Sequence, residues 1–460
     1  MSLTTGPILP TLLRLALPNV LAMTMTVVVG IAETRYVGLL GTAPLAAMAL
    51  VFPFAMLVQM MSGGAMGGGV TSAVSRALGA GDAARARILA LHAIVIGVVA
   101  GVVTSALLLA FGPQLYRFLG GSGAVLAEAV RYSGVLFCGA VLVWLLNTLA
   151  SILRGTGDMR TPSTVLFAAA ILQIALGGAL GLGLGPLPRL GMVGIALGSI
   201  AATGAGVAFL FWWLTSGHGR LRLAWRRGAL RGELFADILK VGALSCVSPL
   251  QSVLTILIFT GLVARLGVGP LAGYGIGQRL EFLLIPIAFG IGVASLPMVG
   301  MAIGAGDFRR ARRVAWTAGM VSAFNLGLLG LVVAIAPDLW AGLFTHDPEV
   351  LTYTRQYLQW AGPGFAFFGL GVTLYFASQG SGHMLGPVLA GTVRLVLVAG
   401  AGAWLVASAA PAWQLFALVS AGMVAYGLAT VASIRLTPWR AREAARGVSR
   451  EPARAQTSTS

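Results

Sequence analysis

The chain has 460 residues, of which 58% are hydrophobic and only 9% charged, with 30 Lys and Arg against 13 Asp and Glu. So little charge cannot cover the surface of a soluble protein of this length, where about a quarter of residues are normally charged. The net charge of +17 invites a nucleic-acid reading, which its distribution along the chain sets aside.

Apolar stretches of about 20 residues or more recur throughout, each long enough to cross a hydrocarbon core of roughly 30 Å. Twelve spans are predicted, at 11–37, 44–70, 89–111, 128–152, 161–185, 191–215, 239–263, 270–300, 315–336, 353–378, 385–408 and 412–434. All should be helices, because a lone span must satisfy its own backbone hydrogen bonds in lipid. The expected fold is therefore an all-α polytopic membrane protein. The N-terminus lacks a short apolar region with a small-residue cleavage site, so it reads as the first span and not as a removable signal.

Span one ends in "GIAETRYVGLLG", which places Glu33 and Arg35 at the edge of an apolar run. The two lie about 200° apart around a helix and cannot meet on one face. Arg35 shares its face with Ile31, Val28, Thr24 and Leu21 and is expected to snorkel to the outer interface. Glu33 continues a small or polar stripe of Gly30, Thr26, Met23 and Asn19, suited to a hydrated cavity. Pro18, Pro53 and "GGAMGGG" at 63–69 mark places for kinks or close helix packing. In the fourth span, Asn147 is taken as a further cavity-lining residue.

The connection "SGHGRLRLAWRRGALRGELFAD" is the longest polar stretch between spans. Span seven then carries Ser245, Ser248, Ser252 and Thr255 at helical spacing, with Gln251 beside them; such hydroxyls glue helices or line a cavity. Span eight holds Glu281, about 16 Å from its start at Pro270, on one face with Gln278 and Tyr274. Arg394 of span eleven lies at matching depth, so Glu281 is expected to pair with Arg394, or failing that with Arg279. Among the acids only Glu33 and Glu281 fall well inside spans, and intramembrane acids are functional candidates by default. Trp144, Met60, Met61, Phe365, Phe368 and Tyr375 offer an adaptable aromatic and thioether surface for bulky cations.

Basic residues crowd every second connection. They include Arg76, Arg85 and Arg87; Arg154 and Arg160; Arg220, Arg222, Arg226, Arg227, Arg231 and Lys240; and Arg309, Arg310, Arg312 and Arg313. The tail adds Arg435, Arg440, Arg442, Arg446, Arg450 and Arg454, whereas the opposite connections offer Arg117, Arg189 and Arg265. This asymmetry predicts both termini in the cytoplasm, in a bacterial inner membrane. Nucleic acid is not an expected partner; the lipid bilayer is. Cys138 and Cys246 fall within spans and carry no disulfide information.

The chain is also written twice. "LGTAPLAA" at 40–47 returns as "LGVGPLAG" at 266–273, "RALGAGDAARAR" at 76–87 as "MAIGAGDFRRAR" at 301–312, and "RGTGDMRTP" at 154–162 as "QGSGHMLGP" at 379–387. Three collinear pairs at one offset define two pseudo-symmetric halves of six helices, both in the same orientation. The expected division is a first lobe at 1–215, a basic linker at 216–238, a second lobe at 239–434 and a disordered basic tail at 435–460. The "GAGD" segments at 79–82 and 304–307 belong to no "GxxxxGK[ST]" pattern, so ATP is not implicated and a tight turn is expected.

These repeats, with "LGTAPLAAMALVFP", "GGGVTSAVSRALGAGD", "ILRGTGDMRTP", "GQRLEFLLIPIAFGIGVA" and "MVGMAIGAGDFRRAR", resemble the multidrug and toxic-compound extrusion (MATE) family, in its DNA-damage-inducible F-like branch. The resemblance covers about residues 11 to 434. It implies a V-shaped pair of six-helix lobes and export of organic compounds driven by proton or sodium entry. Many members of the family carry Asp where Glu33 stands, and an "N-x-x-x-D" pair on span five. Here that place reads "QIALG", with Gln173 for the Asn and Gly177 for the Asp. A sodium site wants several hard oxygen ligands, whereas one carboxylate suffices to carry a proton, so proton coupling through Glu33 and Glu281 is favoured over sodium.

The expected activity is a secondary antiporter exchanging protons for lipophilic, cationic organic compounds, as a monomer without a cofactor or bound metal. A sodium-coupled exporter and a flippase for a lipid-linked precursor stay open, the latter supported by Arg279 and Arg394. An intramembrane enzyme is not expected. His92, His218, His346 and His383 are scattered, and no paired aspartates lie within spans.

Overall fold

The structure, a computed structural model, describes residues 3–186, 188–223 and 230–439. Arg226, Arg227 and the tail beyond residue 439 lie outside the described residues. Eleven helices are long and apolar enough to cross a membrane: α1 (Ile8–Leu40), α2 (Thr42–Gly79), α3 (Ala83–Phe118), α5 (Arg160–Leu182), α6 (Gly191–Ser216), α7 (Gly232–Ala264), α8 (Val268–Gly304), α9 (Phe308–Ile335), α10 (Pro348–Ser381), α11 (Leu385–Ala407) and α12 (Ala412–Leu436). The pair Gly123–Cys138 and Ala140–Gly155, bent by 42°, supplies α4 and brings the number to twelve. The bend falls at Gly139, where a Cβ would meet Ile200 Cγ1 of α6 at 2.6 Å. Helices form because apolar side chains satisfy lipid while the backbone satisfies itself.

The repeated motifs mark repeated turns. Gly41 and Gly267, Gly81 and Gly306, and Gly157 and Gly382 all have φ between 76° and 132°. A side chain is strained in that region, so each motif keeps its glycine. In the two "GAGD" turns, Asp82 and Asp307 accept 2.8 Å hydrogen bonds from Arg85 N and Arg310 N and so cap α3 and α9.

These two turns lie on the face where α1 begins and α12 ends, where the two halves meet. Gly79 packs on the Met301 carbonyl, Gly304 on that of Arg76, and Gly300 on Ser75. Ser72 Oγ donates to the Gln379 carbonyl at 2.5 Å. A second device ties the halves further in. α2 is α-helical over Thr42–Gln59 and Gly67–Gly79 but widens to a π-helix over Met60–Met66, a form concentrated at functional places. Gln379 Nε2 of α10 donates to the Gly64 and Ala65 carbonyls of that segment at 3.1 and 3.2 Å.

The halves also exchange helix ends. Leu12 and Ala16 of α1 pack in a core with Ala294, Met298 and Ala315 of the second half. Conversely, Ile238 near the start of α7 belongs to the first half's core, with Val70 and Leu89. Glycine permits the crossing: a Cβ on Gly69 would sit 2.7 Å from the Gly242 backbone, the close approach small residues allow in membranes.

Candidate functional site

In the first half, Glu33 sits on α1 about 10 Å before its end at Leu40 and is 8% exposed. Its Oε1 accepts a 2.8 Å hydrogen bond from Gln173 Nε2 of α5. Gly177, one turn further along α5, leaves space: a Cβ there would find its nearest neighbours, in Ile195, at 3.9 Å. Buried Tyr132 is within electrostatic reach of the carboxylate. Glu33 is thus a buried acid held by one neutral amide.

The stripe expected to lead inward from Glu33 is not a continuous polar wall. Asn19 is buried and occupied: its Oδ1 accepts from Ser163 Oγ at 3.1 Å, and its Nδ2 donates to Met159 Sδ and the Leu15 carbonyl, both at 3.2 Å. It clips α1 to the start of α5. Thr26 is exposed and turns back to the Ala22 carbonyl at 3.5 Å. Asn147 likewise braces the π-helix, donating to Ser62 Oγ at 2.9 Å and Gln59 Oε1 at 3.4 Å. Polar residues at helix contacts bond across them before they line water, so Asn19 and Asn147 are ties and not cavity walls.

In the second half, the expected Glu281–Arg394 pair is absent. Among the described residues Glu281 forms no ion pair with Arg394 or Arg279; its Oε1 accepts the Tyr357 hydroxyl of α10. Arg394 lies over the Phe368 ring at 5.5 Å, and Arg279 over Phe344 at 5.4 Å. The reason is that a buried acid needs a donor, which a neutral hydroxyl supplies without desolvating a second charge. Tyr274 stands behind this pair, edge-on to Tyr357 at 5.4 Å and to Phe259 at 5.0 Å, and does not line the cavity.

An open cavity lies between the halves, walled mainly by the second. Gln251, Gln278, Glu281, Tyr375 and Arg394 line it as expected, with Phe282, Phe289 and Tyr426. Met60, Gly64 and Ala65 of the π-helix close its other side. Of the expected aromatic and thioether surface, Met60, Phe368 and Tyr375 reach it, whereas Trp144 and Phe365 are core residues. Gln251 Nε2 also donates to Thr392 Oγ1 at 2.8 Å, joining α7 to α11. Tyr375 donates to the Ser245 carbonyl at 3.2 Å and accepts from Gln379 at 3.4 Å. Tyr357 and Gln379 escaped sequence reading. The available signal was that a buried tyrosine or amide in lipid must find a partner.

Among the described residues no group of three His, Cys, Asp or Glu is placed to hold a metal ion. The site offers a buried acid in each half, an aromatic chamber between them and one arginine at its wall.

The family pattern named MatE matches this chain twice, at residues 18–177 and 245–405. A "FAD transporter" of Shewanella oneidensis is 27% identical over 380 residues, covering 82% of each chain. A "Probable multidrug resistance protein NorM" of Thermotoga maritima is 25% identical over 381 residues, covering 82% of this chain and 81% of that one. Among solved structures, a MOP superfamily transporter from Pyrococcus furiosus superposes with TM-score 0.87 at 22% identity, covering 94% of this chain and 96% of that one. A multidrug resistance MATE family transporter in an outward-facing conformation superposes with TM-score 0.84 at 23% identity, covering 94% and 95%. Two matches to one pattern, in register with the two halves, leave a single conclusion: the chain belongs to the MatE family of multi-pass membrane transporters.

Proposed function

We propose that this chain is a secondary antiporter that exports bulky lipophilic compounds, cations foremost, in exchange for protons. The observation that carries the reading is the aromatic chamber between two halves that touch on the arginine-rich face. That face is assigned to the cytoplasm by its charge. The contacts at Ser72–Gly79 then cut the chamber off from the cell interior, a state poised to release to the outside. Phe282, Phe289, Phe368 and Tyr426 suit a planar cation.

Coupling is assigned to Glu33, with Glu281 as a second acid at the chamber wall. Gln173 turns its amide nitrogen to Glu33, and Gly177 contributes no oxygen. One carboxylate with a single amide donor supports proton carriage, because a sodium ion wants several oxygen ligands.

The test is export of a fluorescent organic cation from vesicles holding the purified protein, under separately imposed proton and sodium gradients. Proton-driven export, abolished in Glu33→Gln, is expected. Export driven by sodium alone, or indifferent to Glu33→Gln, overturns the coupling assignment.

A second reading is favoured by Arg394, whose guanidinium reaches the chamber with no carboxylate in ion-pairing range among the described residues. An aromatic anion would stack on Phe368 and pair with Arg394. The relative named for FAD gives such a substrate a precedent. Flavin nucleotide added to the vesicle assay as competitor separates the two readings.

A further inference from the structure

A second cavity, away from the chamber, opens on the face where α1 begins and α12 ends. It is open to solvent and is lined by Thr11 and Arg14 of α1, Asp158 and Arg160 at the start of α5, and Arg220 beyond α6. Among the described residues none of the three arginines has an ion-pair or hydrogen-bond partner. The one acid in the wall is engaged: Asp158 Oδ1 accepts from the Thr161 amide at 3.1 Å and caps α5. The three arginines are exposed to solvent around one open cavity and together offer an anion converging positive charge.

Two further observations point to an anion. Thr11 is 4% exposed, and its hydroxyl has no hydrogen-bond partner although the residue lines the cavity. A buried hydroxyl left unpaired is destabilising, a cost that an acceptor oxygen reaching it from the cavity would remove. The start of α5 also turns its positive end toward this space. The 33 residues of α1 span about 50 Å, so Arg14, about 9 Å from the start at Ile8, falls outside a centred hydrocarbon core of about 30 Å.

We infer that Thr11, Arg14, Arg160 and Arg220 form a binding site for an anionic phosphate group, supplied by a phospholipid headgroup of the adjoining leaflet. The position gives such a group a consequence. Arg14 stands on α1, Arg160 at the start of α5 and Arg220 beyond α6. A bound phosphate therefore holds these three segments together at one end of the first half, beside the Asn19 clip.

The experiment uses the full chain in phosphatidylcholine vesicles with and without phosphatidylglycerol, reading bound anionic lipid and the thermal midpoint. The wild-type protein is expected to bind and be stabilised by phosphatidylglycerol. The R14Q/R160Q/R220Q variant should lose affinity on the order of a hundredfold, from the usual contribution of a basic side chain at an anionic membrane surface. An R87Q/R309Q/R313Q variant, which removes the same charge from exposed positions outside the cavity, should bind like wild type. Inorganic phosphate that displaces the lipid from wild type, but binds neither more nor less to the cavity variant than to buffer controls, identifies free phosphate as an alternative source for the same site. Equal lipid affinity in wild type and the cavity variant, or an equal loss in the control variant, overturns the proposal. Should the cavity variant not fold, Thr11→Val serves: it keeps shape and charge, weaker phosphatidylglycerol binding is expected, and unchanged affinity counts against the site.

Discussion

Replacing Gln379 by Leu removes the one amide that joins α10 to the π-helix of α2. Its Nε2 carries two N–H groups, placed to donate to the carbonyls of Gly64 and Ala65 across the seam, and also lies near the Tyr375 hydroxyl within α10 itself. Leucine fills a similar volume, so the cavity term is small and the loss is polar. Each such bond contributes about 0.5–1.5 kcal/mol net; for the two that reach the π-helix, at 3.1 and 3.2 Å, the sum is about 1–3 kcal/mol. Because the contacts cross between the halves, that energy belongs to the conformation in which this seam is closed. The variant should therefore shift the closed-to-open equilibrium toward opening by roughly 5- to 150-fold. Spin-label distances between exposed Arg87→Cys and Arg313→Cys, measured with and without Gln379→Leu, read this directly. A short, single distance that stays unchanged in a folded Gln379→Leu protein would refute the assignment of Gln379 as a tie between halves.

Further outcomes follow from the same contacts. Tyr357→Phe strips Glu281 of its donor and should destabilise the protein by about 1–3 kcal/mol, measured by thermal unfolding; Arg394→Gln should have a smaller effect, since no ion pair joins it to Glu281. Gly177→Asp, at a position with open space, should add a second carboxylate near Glu33 and make transport respond to sodium, read in the vesicle assay. Asp237→Asn releases Arg76 and Arg85, bonded to it at 3.0 and 3.1 Å. These side chains are partly exposed, so the loss should stay below about 1 kcal/mol and vanish in high salt, as urea melts at two ionic strengths will show. Gly69→Leu should prevent folding, because the backbone of Gly242 occupies the space; a folded, active Gly69→Leu protein would disprove the exchange of helix ends.

The spans were legible because lipid imposes one rule on every residue that crosses it, and length and apolarity answer to that rule alone. The turns were legible because each repeated motif keeps a glycine that backbone geometry demands, as at Gly81 and Gly306. Partners were not. Glu281 was matched to Arg394 by charge and depth, but Tyr357 lies 76 residues away in the chain and carries no charge to announce itself. The π-helix over "MMSGGAM" was equally silent, since glycine marks a place where a helix can deform without saying how. Asn19 and Asn147 show the converse error: polar residues on a helix face were taken for a cavity wall when they tie helices together.

The repeat also explains why chemistry was harder to read than fold. Gly41, Gly81 and Gly157 each have a counterpart about 225 residues on, with the same backbone twist. The acids have none. At the offset of Gly41 and Gly267, Glu33 corresponds to Phe259 and Glu281 to Ala55. Phe259 is itself part of the aromatic stack, against Tyr274 and through it Tyr357, that holds Glu281 in place. The two halves share the residues that shape their turns, the capping Asp82 and Asp307 included, and differ in their intramembrane acids. Backbone geometry repeats because both halves must turn and pack in the same way, whereas one acid stands near the end of α1 and the other at the wall of the central chamber, each with a partner of its own.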